Sequence, residues 1–215
     1  PLFPDRSISL LHIDPPYVYR GGVYSSRSAL SLACDNADPV AAIQMVIDLL
    51  RDWQPKLAVN GVVNLWQPWG LLAAEIVDAV SQYNWELWGP IIWDKGRPQP
   101  GDFATPYSTQ GEMLWMLSRK GDAPANCDGS SRESILRFSS GEFPSAADRQ
   151  THAFEKPEAL LRHLLLKHTC EGDLVFDACG CTGGMSVAAI NHGRDWVYAE
   201  SNEENHHIGA GNIFR

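Results

Sequence analysis

The segment Asp173–Glu200 reads DLVFDACGCTGGMSVAAINHGRDWVYAE, and it decides the fold. The apolar run Asp173–Phe176 predicts a buried strand, a glycine-rich turn follows at 177–184, and a helix comes next. Trp196–Ala199 predicts a second strand, which ends at Glu200. A strand, a glycine-rich turn and a helix form a corner whose backbone N–H groups bind anions or nucleosides. An acidic residue at the end of the next strand can bind the hydroxyls of a ribose.

A second motif follows the strand predicted at Ser7–Ile13, and it reads Asp14-Pro15-Pro16-Tyr17. Two consecutive prolines restrict the backbone and remove two N–H donors. What remains is a row of acceptors, the Asp14 carboxylate and the Pro15 carbonyl, beside the aromatic face of Tyr17. This arrangement suits an exocyclic amine on a flat heterocycle, although an ordinary proline-rich turn has the same local sequence.

The rest of the chain alternates between strand-like and helix-like patterns, which is typical of an α/β domain with a largely parallel sheet. Strands are expected at Leu57–Leu65, Glu86–Trp93 and Glu112–Leu117, and helices from Pro39 to about Trp53, over Leu71–Gln82 and from Lys156-Pro157 onward. Two stretches are rich in Gly, Pro, Ser and Asp: residues 94–111, between the last two of these strands, and residues 119–150. Both are predicted to be loops.

Composition places few further bounds on function. The 215 residues are 44% hydrophobic and 20% charged, as expected for a folded domain, with no apolar run of membrane-spanning length and no signal-peptide pattern. Five cysteines are scattered along the chain, and Cys179 and Cys181 lack the two-residue spacing of zinc ligands. We therefore expect reduced thiols, no membrane, no metal site and a cytoplasmic location.

The net charge of −9 is unfavourable for binding a polyanion, because phosphate contacts require Lys and Arg. The charge is uneven, however. Residues 94–149 carry 7 basic and 8 acidic groups, whereas residues 1–93 and 150–215 each carry 5 basic and 9 acidic groups. A basic face is therefore best sought in the middle third of the chain.

Five motifs in this order resemble those of the beta-class DNA amino-methyltransferases. They are Asp14–Tyr17 (DPPY), Ile92–Pro98 (IWDKGRP), Glu112–Trp115 with Arg119-Lys120, His152–Leu161 (HAFEKPEALL) and Asp173–Glu200. The resemblance implies a single Rossmann-like methyltransferase domain over 1–215, with a mostly parallel twisted sheet flanked by helices. Its catalytic half would be 1–118, its cofactor-binding half 152–215, and 119–151 a short loop or target-recognition segment.

The resemblance also implies a set of site residues, with S-adenosyl-L-methionine as the cofactor and DNA as the partner. Asp14, Pro15, Pro16 and Tyr17 would be catalytic. The cofactor would be bound by His12, Lys156, Pro157, Asp177, Ala178, Cys179, Gly180, Thr182, Gly183, Glu200 and Ser201. Arg20 and Arg27 closely follow the catalytic loop and are candidates for phosphate contacts, with solvated loop charges as an equal alternative, and Lys95 and Arg97 are further candidates for DNA contact.

Three features depart from the family pattern. Ala178 stands where the family usually has Pro, and Cys181 stands where it usually has the first Gly of the turn. The region Gly121–Thr151, which often holds target recognition, is short here. A short region predicts limited sequence specificity or help from a partner, either a second copy or another subunit.

The expected reaction is transfer of a methyl group to the N6 amine of adenine in DNA, after the base is flipped out of the duplex. The sequence contains no Pro-Cys dipeptide, which disfavours the covalent route to carbon-5 of cytosine. N4-cytosine methylation is the nearest alternative, and Asp14 favours adenine because cytosine-directed relatives more often carry Ser there. A non-catalytic subunit of the same fold and a nucleotide-dependent oxidoreductase are further alternatives. The resemblance also implies a bacterial or phage-encoded restriction-modification enzyme.

Overall fold

The computed structural model describes residues 3–15, 39–67, 73–96, 110–130, 132–139 and 155–214. The strands in these ranges are β1 (Ile8–Ile13), β2 (Leu57–Gln67), β3 (Trp85–Asp94), β4 (Gly111–Arg119), β5 (Ile135–Arg137), β6 (Leu174–Asp177) and β7 (Asp195–Tyr198). The helices are α1 (Pro39–Trp53), α2 (Ala73–Gln82), α3 (Glu158–His168), α4 (Gly184–Asn191) and α5 (Glu203–Ile213), and a 3-10 turn covers Gln54–Lys56.

All seven strands join one sheet in the order β5-β3-β4-β2-β1-β6-β7. β1 pairs in parallel with β2 and β6, β6 pairs in parallel with β7, and β3 pairs in parallel with β5. Only β4 runs the other way, antiparallel to both β2 and β3. The expected mostly parallel α/β sheet is therefore confirmed, with β1 near its centre.

Alternate residues of the central strands bury opposite faces of the sheet. On the first face, Leu11 and Val63 pack with Val46 and Leu50 of α1. On the second face, residues of β1, β2 and β6 contact side chains of α3 and α4. That second cluster consists of Leu10, Val62, Val175, Leu161, Leu165, Met185, Ala188 and Ala189. Removing so many aliphatic side chains from water, at about 1.5 to 3 kcal/mol each, explains why the sheet is covered on both sides.

The predicted elements are present, with ends that differ by one or two residues. The predicted loop 119–150 is wrong in one place, because Ile135–Arg137 forms β5 and pairs with Ile92–Asp94 of β3. Leu136 is buried there against tryptophans, but three residues are too few to show a strand periodicity. Among the described helices, none combines the length and apolarity that crossing a membrane requires.

Candidate active site

Charged side chains from four elements meet at one edge of the sheet, where the carboxyl ends of the parallel strands lie. Asp14 directly follows β1 and Lys95 directly follows β3. Glu112 is the second residue of β4, which begins at this edge because it runs antiparallel. Lys156 lies two residues before α3. The topology thus explains why residues far apart in sequence converge.

These four residues form what we call the lysine–carboxylate chain. The Lys156 Nζ lies 2.6 Å from Oδ2 of Asp14 and 3.2 Å from Oε2 of Glu112. The other Glu112 oxygen, Oε1, lies 2.5 Å from the Nζ of Lys95. The Lys156 side chain is 4% exposed and that of Glu112 is 12% exposed, whereas the Asp14 side chain is 26% exposed. Asp14 is therefore the member that a substrate can reach most easily.

The electrostatics of the chain keep its central members ionised. Burial by itself would lower the pKa of Lys156, but the Asp14 and Glu112 carboxylates outweigh burial and raise that pKa. Burial likewise opposes ionisation of Glu112, yet Lys156 and Lys95 hold its pKa below the ordinary value. Two positive and two negative groups alternate, so the buried charges compensate one another.

Two tryptophan rings support the lysines from below. The Nζ of Lys156 lies 5.0 Å from the ring centroid of Trp66, and that of Lys95 lies 4.8 Å from the centroid of Trp93. The two rings meet edge to face with centroids 6.2 Å apart. A desolvated cation above an indole face gains about 2 kcal/mol, which helps to offset the burial of these lysines.

The glycine-rich turn after β6 is shaped by Tyr198 at the end of β7. A Cβ on Gly180 would lie 2.3 Å from the Tyr198 ring, so only glycine permits this approach. The Tyr198 hydroxyl donates a hydrogen bond to the carbonyl of Cys181 at 2.6 Å. Cys181 itself has a φ of 44°, in the left-handed region that favours glycine. The departure from the family pattern at 181 therefore lies at a backbone position suited to glycine.

Asp177, the last residue of β6, organises the start of α4. One of its oxygens, Oδ2, accepts hydrogen bonds from the backbone N–H and the hydroxyl of Ser186, at 3.2 and 3.1 Å. Burial is the main cause that raises the pKa of Asp177 to about 7, and the nearby Asp14 and Glu200 carboxylates add to it. The turn and the end of β1 are also close neighbours. The backbone supports this, because the Ala178 N–H donates to the His12 carbonyl at 2.9 Å.

Glu200 lies beside the turn with its carboxylate already oriented by the backbone. Its Oε2 accepts from the Cys181 N–H at 2.9 Å, and its Oε1 accepts from the Asn202 N–H at 2.7 Å. Each carboxylate oxygen has a second lone pair, so both can also accept from the hydroxyls of a ribose. A glycine turn next to such a carboxylate fits an adenosine-containing cofactor.

Beneath Lys156, the second face of the sheet carries a row of buried polar groups. His12 and Asn64 are register partners on β1 and β2. Among the described residues, neither His12 Nδ1 nor the Asn64 amide has a hydrogen-bond partner, and the same holds for the Trp66 indole nitrogen. Burial, with a further contribution from Lys156, lowers the pKa of His12 to about 3, so its ring is neutral. The predicted contact of His12 with cofactor stays a prediction. His12 is only 3% exposed, so little of its surface is available to a ligand.

The structure places the other predicted site residues as follows. Pro15 ends the described segment after β1, Pro157 caps α3, and the turn residues 178–183 join β6 to α4. Ser201 is exposed next to Glu200. Pro16, Tyr17, Arg20, Arg27 and Arg97 lie outside the described residues. The predicted DNA contact of Lys95 stays a prediction, and in this structure its ammonium is paired with Glu112.

Sequence reasoning missed three residues that shape the site. Glu112 was recognised as part of a motif but not as a site residue, although a lone carboxylate at the start of the apolar run Met113–Leu117 is a usable signal. Tyr198 and Ser186 carried no such signal, because each acts through a contact that only the packed turn creates. In the part of the chain that the structure describes, no group of three or more His, Cys, Asp or Glu side chains could hold a metal ion.

Comparison with known proteins gives matches that span almost the whole chain. The model of a family described as DNA methylase (N6_N4_Mtase) matches residues 8–210. The type II methyltransferase M2.DpnII of Streptococcus pneumoniae is 24% identical over 219 residues, which cover 93% of this chain and 80% of that protein.

Solved structures show the same fold. The M1.HpyAVI complex with SAM superposes with a TM-score of 0.72 at 18% identity, covering 96% of this chain and 89% of that one. The PvuII DNA methyltransferase, described as cytosine-N4-specific, gives a TM-score of 0.75 at 17% identity, covering 98% and 81%. Together with the family match and the arrangement of the site, these comparisons show that the chain belongs to the DNA methylase family that comprises N6- and N4-directed amino-methyltransferases.

Proposed function

We propose that the protein transfers a methyl group from S-adenosylmethionine to the N6 amine of adenine in DNA. One observation carries the proposal. Asp14 follows the central strand, its carboxylate is ion-paired with the buried Lys156, and the end of that strand lies beside the glycine turn after β6. An amine acceptor is thus held next to a corner that fits a nucleoside.

In this function Asp14 and the Pro15 carbonyl would accept hydrogen bonds from the two amine hydrogens, which leaves the nitrogen lone pair free to attack an electrophile. Lys156 donates a hydrogen bond to Oδ2 of Asp14 at 2.6 Å and so orients the carboxylate that accepts from the amine. Asp14 need not be a strong base, because the amine proton becomes acidic only as the new bond forms. Positioning then supplies most of the rate enhancement, and effective molarities of about 10⁵ M or more are available to well-oriented groups.

The cofactor is held by the corner that follows β6. Glu200 binds the ribose hydroxyls with oxygens already oriented by two backbone N–H groups. The backbone of the turn 180–183 would help to hold the nucleoside, and the Tyr198 hydroxyl holds the turn by its hydrogen bond to the Cys181 carbonyl. When bound, S-adenosylmethionine supplies the electrophilic methyl group.

N4-cytosine methylation is the second candidate, favoured by the similarity to the PvuII enzyme, which is described as cytosine-N4-specific. The two substrates present the same chemical group, an exocyclic amine on a flat ring. Asp rather than Ser at position 14 supports adenine.

The experiment that tests the proposal identifies the methylated base. Unmethylated DNA is incubated with the protein and labelled S-adenosylmethionine, digested to nucleosides and analysed by mass spectrometry. We expect label in N6-methyldeoxyadenosine, none with Asp14→Ala, and undiminished label with Asp195→Asn, an exposed aspartate on β7. Label in N4-methyldeoxycytidine would select the second candidate, and no label in DNA would refute both.

A further inference from the structure

The orientation of the Asp14 carboxylate depends on Lys156, a residue with a flexible side chain. The Lys156 ammonium is a compact charge at the end of four methylene groups, and such a side chain fixes a partner only if it is fixed in turn. In this structure Lys156 is 4% exposed and packs its ammonium over the Trp66 ring. The Trp66 ring fixes the distance of the Lys156 ammonium from the ring face. A cation–π contact does not fix the position of the ammonium parallel to that face.

Glu112 provides the missing direction. Its Oε2 lies 3.2 Å from the Nζ of Lys156, and its Oε1 lies 2.5 Å from the Nζ of Lys95. Because the two oxygens bind different lysines on different elements, the plane of the carboxylate is set by both. Removing either lysine would leave the buried Glu112 carboxylate with less compensating charge and one oxygen no longer held, so the chain functions as a unit.

Lys95 is directed inward, which distinguishes it from a side chain that reaches for a phosphate. Its side chain is 14% exposed and its ammonium lies over the Trp93 ring. Trp93 is anchored by a hydrogen bond from its indole N–H to the carbonyl of Phe138, at 2.8 Å. The end of β3 and the segment around β5 thus support the outer end of the chain.

We propose that Glu112 and Lys95 are positioning residues, which hold Lys156 and through it keep the Asp14 carboxylate in the orientation that accepts the substrate amine. This role rests on the proposed methyl transfer. It makes the catalytic half of the site depend on β3 and β4, the elements that carry Lys95 and Glu112.

The test separates the transfer step from binding. Glu112→Gln, Lys95→Met, the double variant and the control Glu86→Gln, an exposed glutamate on β3, are compared with the unmodified protein. Single-turnover methyl transfer at saturating DNA and S-adenosylmethionine gives the rate constant, calorimetry gives cofactor affinity, and fluorescence anisotropy at about 50 and 200 mM salt gives DNA affinity and its salt dependence. Thermal unfolding verifies that each variant is folded.

We expect Glu112→Gln to lower the transfer rate constant by about tenfold to a hundredfold, with cofactor and DNA affinities within about twofold of the unmodified protein. Lys95→Met should lower the rate less, by about threefold to tenfold. The double variant should be no slower than Glu112→Gln by more than about twofold, because both changes break the same chain. If Glu112→Gln does not fold, Lys95→Met alone still tests the role by the same measurements.

Three outcomes would overturn the proposal. Full-rate transfer by folded Glu112→Gln would remove the positioning role while leaving the proposed function intact. A Lys95→Met protein with an unchanged rate at saturating DNA and a salt slope reduced by about one would show a phosphate contact instead. An unmodified protein that transfers no methyl group to DNA would refute the proposed function and the positioning role together.

Discussion

Asp177→Asn should make the protein's stability markedly less dependent on pH. The Asp177 side chain is buried at the end of β6, and its pKa in the folded state is about 7 against an ordinary value of 3.8. Asn has nearly the same shape and can still accept from the N–H and hydroxyl of Ser186 through its amide oxygen. The substitution therefore removes the titration while keeping the local hydrogen bonds.

The direction follows from proton binding in the two states. Between about pH 4 and pH 7 the folded protein retains a proton on Asp177 that the unfolded chain has released, so the free energy of unfolding falls as the pH rises through this window. A difference of roughly three pKa units corresponds to about 4 kcal/mol. Above about pH 7 the folded state carries the whole cost of the buried charge.

The assay is urea-induced unfolding of the unmodified protein and of Asp177→Asn at about pH 4, 6 and 8, with Asp195→Asn as an exposed control on β7. From the lowest to the highest pH, the free energy of unfolding of Asp177→Asn should rise by about 4 kcal/mol relative to that of the unmodified protein. The control should follow the unmodified protein throughout. Parallel pH profiles for the unmodified protein and Asp177→Asn would show that Asp177 is already ionised at acidic pH and would refute the reasoning.

Three further predictions concern the turn after β6 and the Asp14 carboxylate. Cys181→Gly should raise the free energy of unfolding by about 0.5 to 1 kcal/mol, because φ is 44° there and a non-glycine residue is strained; denaturant unfolding measures this, and a loss of stability would contradict it. Gly180→Ala should destabilise by about 1 to 3 kcal/mol, since the new Cβ would lie 2.3 Å from Tyr198; an unchanged thermal midpoint would show that the ring can move aside. Asp14→Ala should abolish methyl transfer yet leave the affinity for S-adenosylmethionine, measured by calorimetry, within about threefold of that of the unmodified protein. A much larger loss of cofactor affinity would instead place Asp14 in the cofactor site.

Much of the fold could be predicted from local pattern. The run Asp173–Glu200 predicts a strand, a turn, a helix and a strand, and the structure has β6, α4 and β7 there. The reason is physical: apolar periodicity and glycine placement are local properties that tertiary packing rarely overrides in long, regular segments. β5 escaped prediction because Ile135–Arg137 is short and becomes a strand only through its pairing with β3.

The sequence by itself determined which chemical groups the protein offers: an aspartate before two prolines, a glycine-rich turn and an acidic residue after the last strand. Only the tertiary structure decided how they are combined. Lys156 lies 142 positions from Asp14 in the chain, yet their charged atoms are 2.6 Å apart. Glu112 joins them because β4 runs antiparallel and so begins at the edge where β1 ends. These long-range ion pairs depend on the order of the strands in the sheet and on the reversed direction of β4, and the local sequence pattern, which indicates only a largely parallel sheet, encodes neither of them.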